Sequence, residues 1–269
     1  MPSPDRRDTW NAQTYDRFDD ARSRPFQDLL ARVRSVAPAQ VIDLGCGTGS
    51  GLADMARRWP AAQLVGVDAS ADMLAAAETE LGPLAEVTLV RADAQTWAPE
   101  TAADLVVSNA LLQWIPDHAQ LLTRMASWLA PDGWLAIQVP GNFEAPSHQL
   151  LRELADSPQW TDRLGGVLRG ANSVFDAAGY FRILTDAGLT VDAWETTYLH
   201  VLTGPDPVLR WTSGTALRPV LAALDDDAAQ EFSGQYAASL GTAYPADDAG
   251  EVLFPFRRVF AVARREERL

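Results

Sequence analysis

Between residues 40 and 139 the chain alternates two hydrophobic patterns. Short, mostly apolar runs give way to longer stretches whose apolar residues recur at helical spacing. The runs predict strands at Gln40–Leu44, Gln63–Asp68, Val87–Arg91, Asp104–Asn109 and Trp134–Val139, the last stopped by Pro140. The stretches between them predict helices around Ser50–Arg58, over Ala71–Glu80 with Ser70 as its cap, and over Asp117–Leu129, closed by a turn at Pro131-Asp132-Gly133. Regular β-α alternation predicts an α/β fold, a mostly parallel sheet with helices on both faces.

The flanks are less regular. Met1–Asp8 is polar with two prolines and is expected to be disordered. Trp10, Tyr15 and Phe18 follow early in a polar segment. They either staple the N-terminus to the domain or form a lid over a ligand. Pro25 suits the first turn of a helix carrying Phe26, Leu29, Leu30 and Val33. Beyond Pro140, helices are expected over Ser147–Ala155 and Tyr180–Ala187, the second with Gly188 as its stop. Strands six and seven are expected near Val191–Leu202 and Val252–Ala263, which makes seven strands in all. The residues between them, about 203–251, are too many for a bare loop and are expected to form a helical cap over the substrate pocket. The organisation expected is an N-terminal lid and helix over 1–36, then one domain over 37–269 carrying that insertion.

Composition narrows the chemistry. The chain has 269 residues, 47% of them hydrophobic, enough for one large elaborated core. Its single cysteine, Cys46, excludes a disulfide framework and suits a reducing, cytoplasmic setting. His118, His148 and His200 show no metal-ligand spacing, and no long apolar run suggests a membrane span. The formal net charge is −14 and all 22 basic side chains are arginine, against the basic footprint that nucleic acid requires.

The candidate site is Asp43-Leu44-Gly45-Cys46-Gly47-Thr48-Gly49, where an apolar run ends in an acid and three alternating glycines precede a helix. Glycines there let a ligand lie against backbone, and the helix N-terminus faces the same ligand. No Gly-Lys-Ser/Thr follows, so this is not an NTPase phosphate loop. Ser50 stands where a dinucleotide fingerprint needs its third glycine, and Asp43 would repel a pyrophosphate while suiting a cationic amino group. Asp68 ends the second strand about 20 residues on, where a carboxylate can take both ribose hydroxyls. Asp93 follows the third strand. Singly, each acid is also readable as a cap or a solvated loop residue.

The ordered trio resembles the class I methyltransferases, which bind S-adenosylmethionine. That resemblance implies cofactor contacts from Asp43, Gly45, Cys46, Gly47, Gly49, Asp68, Ala69, Met73, Asp93, Ala94 and Asn109. Three further stretches resemble a branch that esterifies small polycarboxylic acids, trans-aconitate first among them. These are Trp10–Tyr15 with Arg22-Ser23-Arg24-Pro25, then Asn109–His118 around Gln113-Trp114, and Leu217-Arg218-Pro219. The resemblance covers nearly the whole chain. A carboxylate is already ionised at pH 7 and needs no base, so the lack of an obvious catalytic pair or nucleophile elbow fits. No catalytic side chain is expected beyond positioning by Trp114 and Tyr15. Arginine forks must hold the acid against the global charge, with Arg22 or Arg24, Arg218, and Arg257 or Arg258 as candidates and Tyr15, Trp114 and Tyr198 lining the pocket. The alternatives are another small acid, a hydroxyl substrate with His118 or His200 as base, or a non-catalytic cofactor binder. A nicotinamide oxidoreductase is disfavoured by Asp43.

Overall fold

The computed structural model describes residues 19–82, 87–168, 170 and 174–266, with side chains from residue 23 onward. The expectations for Met1–Asp8, Tyr15 and the Arg22 side chain therefore lie outside the described residues. The chain divides into two compact units, one of residues 1–139, 174–195 and 259–269, the other of 140–173 and 196–258.

The first unit is built on β1 (Gln40–Leu44), β2 (Gln63–Asp68), β3 (Val87–Arg91) and β4 (Ala103–Asn109). Three long strands, β5 (Leu129–Pro140), β6 (Thr190–Leu202) and β7 (Val252–Arg264), complete a seven-stranded sheet of order β3-β2-β1-β4-β5-β7-β6. The pairs β1–β2, β1–β4, β2–β3 and β4–β5 are parallel. Helices α1 (Asp19–Arg32), α2 (Ser50–Arg58), α3 (Ala71–Leu81), α4 (His118–Ser127) and α7 (Ala177–Asp186) belong to this unit. The strands are apolar because both of their faces are covered, and Ile42, Leu44, Val106, Leu135 and Ala261 are buried in one cluster with Leu122 and Leu184. Ser70 caps α3 by accepting from the Met73 N–H at 3.3 Å. Gly188, at φ 83°, stops the chain after α7.

Register decides which side chains share a face. Asp43 pairs with Gly66 on one side and Val107 on the other, and Asn109 pairs with Gln138. Residues two apart on a strand point the same way. Asp43, Asp68, Asn109 and Gln138 therefore project from one face, near the carboxyl ends of four strands.

Two local expectations are corrected. The chain re-enters the sheet at Leu129, so β5 runs through Pro131-Asp132-Gly133 where a turn is expected. The bend is there, with Asp132 at φ 61°, but β5 pairs with β4 on both sides of it and the register shifts between Ala103 and Leu105. Pro25 lies inside α1 rather than in its first turn, because the helix already begins at Asp19. The ring removes one hydrogen bond from the helix ladder.

The second unit holds α5 (Pro146–Ala155), α6 (Thr161–Leu164), α8 (Pro207–Ser213), α9 (Arg218–Ala223) and α10 (Asp226–Ala243). The segment between β6 and β7 is mainly helical, and residues 140–173 join it in this unit. Helix α10 packs on α5 and α8. The contacts combine apolar burial with directed polar bonds. Phe232 and Tyr236 are fully buried, each contributing about 1.5–3 kcal/mol by area. The Tyr236 hydroxyl donates to the Ser147 carbonyl at 2.7 Å, and the Ser147 N–H donates to the Tyr244 hydroxyl at 3.0 Å. Trp160 meets Phe232 edge-on at 5.2 Å and donates its indole N–H to Gln235 at 2.9 Å.

Candidate active site

The glycine turn is fastened to β2 by its backbone. The Gly45 and Cys46 N–H groups both donate to the Val67 carbonyl, at 2.8 and 3.1 Å. Glycine is required twice over. A Cβ on Gly45 would stand 2.8 Å from the Leu111 Cβ, and Gly45 is also at φ 83°. Gly47, at φ 55°, has open space where its Cβ would be, the free approach a ligand needs to reach backbone.

Asp68 joins the turn to the next helix. Its Oδ2 accepts from the Gly47 N–H and its Oδ1 from the Ser70 N–H, both at 2.9 Å. Ala69 follows it, exposed, and Met73 is buried in the first turn of α3. Asp93 is exposed after β3 and caps its own loop, accepting from the Gln95 N–H at 2.8 Å, while Ala94 beside it is buried.

Asp43 is the electrostatic centre. It is 3% exposed, and its Oδ1 is buried with no hydrogen-bond partner. Burial first, and the Asp68 carboxylate second, push its pKa up to about 7. A buried, orphaned carboxylate in that state calls for a cation. Burial foremost, then the Asp43 and Asp68 carboxylates, push the Cys46 thiol well above its ordinary value. Cys46 is therefore no nucleophile, and only its backbone can serve a ligand.

At the end of β4 the Asn109 Oδ1 is also buried without a partner. Ala110 then takes a left-handed conformation, φ 56°, uncommon for a residue with a Cβ, and donates its N–H to the Gln138 carbonyl at 2.9 Å. This bend starts the turn Leu112–Trp114, and Trp114 emerges 37% exposed. Gln138 is 1% exposed and its Nε2 is a buried donor without a partner. Gln138 is absent from the sequence-based site. Its only local signal is a glutamine inside the apolar run Trp134–Val139.

The structure thus gathers Asp43, Gly45, Gly47, Gly49, Asp68 and Asn109 at one sheet edge. Tyr198, Arg218 and Arg258 belong to the second unit. There Tyr198 is buried, and Arg258 is buried with its guanidinium carbon 4.5 Å from the centre of the Phe256 ring. Arg218 opens α9 with Pro219 behind it, and burial lowers its pKa. His118 is no base for a hydroxyl substrate. It is buried between the Ile115 carbonyl, 3.3 Å from Nδ1, and the Tyr180 hydroxyl, 3.0 Å from Nε2, and burial lowers its pKa. His200 packs on the Trp211 ring with centroids 4.6 Å apart. Among the described residues no group of histidine, cysteine or carboxylate side chains could hold a metal ion.

The residues fit S-adenosylmethionine. The orphaned Asp43 carboxylate suits its ammonium group, the open face of Gly47 allows close approach, and the Asp68 carboxylate at the end of β2 suits ribose hydroxyls.

This sheet order, glycine turn and set of strand-end carboxylates define a class I methyltransferase. A family model for the methyltransferase domain matches residues 15–193. The trans-aconitate 2-methyltransferase of Streptomyces avermitilis is 50% identical over 263 residues, 96% of this chain and 97% of that one. The enzyme of that name from Streptomyces coelicolor is 51% identical over 266 residues, 96% of this chain and 88% of its own. The chain belongs to the trans-aconitate 2-methyltransferase family. Among solved structures, Haemonchus contortus phosphoethanolamine N-methyltransferase 2 in complex with S-adenosyl-L-methionine matches with a TM-score of 0.55 at 21% identity. That match covers 91% of this chain and 53% of the other, and it is a likeness of fold.

Proposed function

We propose that the protein transfers a methyl group from S-adenosylmethionine to a carboxylate of trans-aconitate, forming a methyl ester. The observation that carries this reading is about half identity, over 96% of the chain, with two enzymes of that name. When bound, the cofactor supplies an electrophilic methyl on a sulfonium, which an ionised carboxylate accepts without a general base.

The chain then has to bind, orient and exclude water. Asp43 holds the ammonium, Asp68 the ribose hydroxyls, and Ala69, Met73, Asp93 and Ala94 the adenine end. The backbone of Gly45, Cys46, Gly47 and Gly49 lies along the cofactor, with Asn109 at its reacting end. Alignment of two reactants is worth roughly 7–11 kcal/mol at best. Arginine forks would meet the acid's charge, with Arg218 and Arg258 as the candidates among the described residues. Trp114, emerging after β4, positions the acid.

Mass spectrometry tests the reading directly. The protein is incubated with the cofactor and a panel of di- and tricarboxylic acids, and a monomethyl ester of trans-aconitate is expected above all others. Cofactor binding without an ester of any acid would remove it.

A further inference from the structure

We propose that the Gln138 carboxamide donates a hydrogen bond to an oxygen of the acceptor acid and so helps select carboxylates at the transfer centre. The inference rests on the methyl-transfer reading above and adds a substrate-binding residue to it.

Three observations converge on Gln138. Its Nε2 is buried without a hydrogen-bond partner, in a side chain 1% exposed. Leaving a buried donor unmade is costly, and a ligand that completes it removes that cost. Gln138 is also the register partner of Asn109, which has its own orphaned buried oxygen. Thirdly, register puts both on the sheet face that carries Asp43 and Asp68.

Direction along the sheet then separates the two reactants. Strand order reverses at β1 and β4, where a doubly wound sheet opens its crevice. Asp68 on β2 and Asp93 after β3 draw the nucleoside to one side of that point. The acceptor must approach from the other side, over β4 and β5, where Gln138 stands. An amide N–H is a donor and an acid oxygen an acceptor, so the missing partner matches the substrate's chemistry. The Gln138 carbonyl already receives the Ala110 N–H at 2.9 Å, which fixes this part of β5 against the end of β4.

Two variants test the assignment, Gln138→Met, apolar and of similar length, and Gln138→Glu, which faces the substrate with a like charge. Steady-state kinetics with trans-aconitate should show KM for the acid rising about ten- to hundredfold in Gln138→Met, the range for a lost bond to a charged group. KM for the cofactor should stay at the wild-type value. The melting temperature should hold or rise, because the substitution removes an unsatisfied donor. Gln138→Glu should lose at least as much kcat/KM. Wild-type kcat/KM for the acid in Gln138→Met would overturn the assignment. A lowered melting temperature with both KM values raised equally would also overturn it, because that pattern marks a purely structural role. If the wild-type protein esterifies no acid, the proposed function falls and this assignment falls with it.

Discussion

The state of Asp43 makes cofactor binding a titration. In the ligand-free protein its carboxyl is pushed up to about 7, from an ordinary value of 3.8. Three pKa units are worth about 4 kcal/mol, the cost of holding that carboxylate ionised in the empty site above neutral pH. The sign follows from proton linkage. The folded pKa lies above the unfolded one, so the stability from this group is fully present below about pH 4 and is lost as pH rises through 7. A bound ammonium reverses the balance, because it favours the ionised form. Affinity for S-adenosylhomocysteine, whose sulfur is uncharged, should therefore climb about twentyfold between pH 5.5 and 7.5 and level off above. Titration calorimetry across that window measures the climb. In Asp43→Asn the profile should be flat and the affinity at pH 7.5 lower, while the ligand-free variant should melt higher than wild type at that pH. A flat profile in wild type, or the same slope in both proteins, would refute the reasoning.

Other substitutions separate the remaining roles. Asp68→Ala should weaken cofactor binding at least tenfold, since charge-assisted bonds are worth about 1.5–3 kcal/mol each, and wild-type affinity in a folded variant would refute the ribose role. Arg218→Ala and Arg218→Lys should both lower kcat/KM for a tricarboxylate at unchanged cofactor affinity, because a lysine cannot reproduce the fork. The loss expected is about 2–5 kcal/mol in binding, and full activity in both variants would move the anion site to other arginines. His118→Leu should leave turnover per folded molecule intact while stability falls by about 1–3 kcal/mol, through the stranded Tyr180 hydroxyl. Calorimetric melting checks it. The lowered His118 pKa gives wild type a stability that is lost as pH falls below about 6.5, and the variant should lack that loss.

The parallel half of the fold was legible because its signals are local. Apolar runs such as Val41–Leu44 end at an acid or a glycine, and Ser70 announces its helix three residues before the N–H it caps. The glycine turn, Asp43 and Asp68 were legible for the same reason. The bend at Pro131-Asp132-Gly133 was readable as a bend, but not as one that the sheet spans, because pairing on both sides depends on β4. Pro25 misled because a proline reads as a helix start while the residues before it were already helical. Gln138 was invisible as a candidate, since its meaning lies in its register against Asn109 and in the partner its amide lacks. His118 could be weighed as a base only until its neighbours Ile115 and Tyr180 were known.

The double duty of Asp68 has a consequence for engineering. One carboxylate braces the Gly47 amide and the Ser70 amide together, so in the proposed role a bound ribose would meet a side chain whose rotamer is already spoken for. Little side-chain entropy is left to lose on binding. The same brace makes position 68 a poor place to redesign the enzyme for altered nucleosides, because any replacement would unfasten the glycine turn from the start of the next helix. The exposed neighbours Ala69 and Asp93 carry no such obligation to the glycine turn, and enlarging the pocket for a cofactor analogue should begin there.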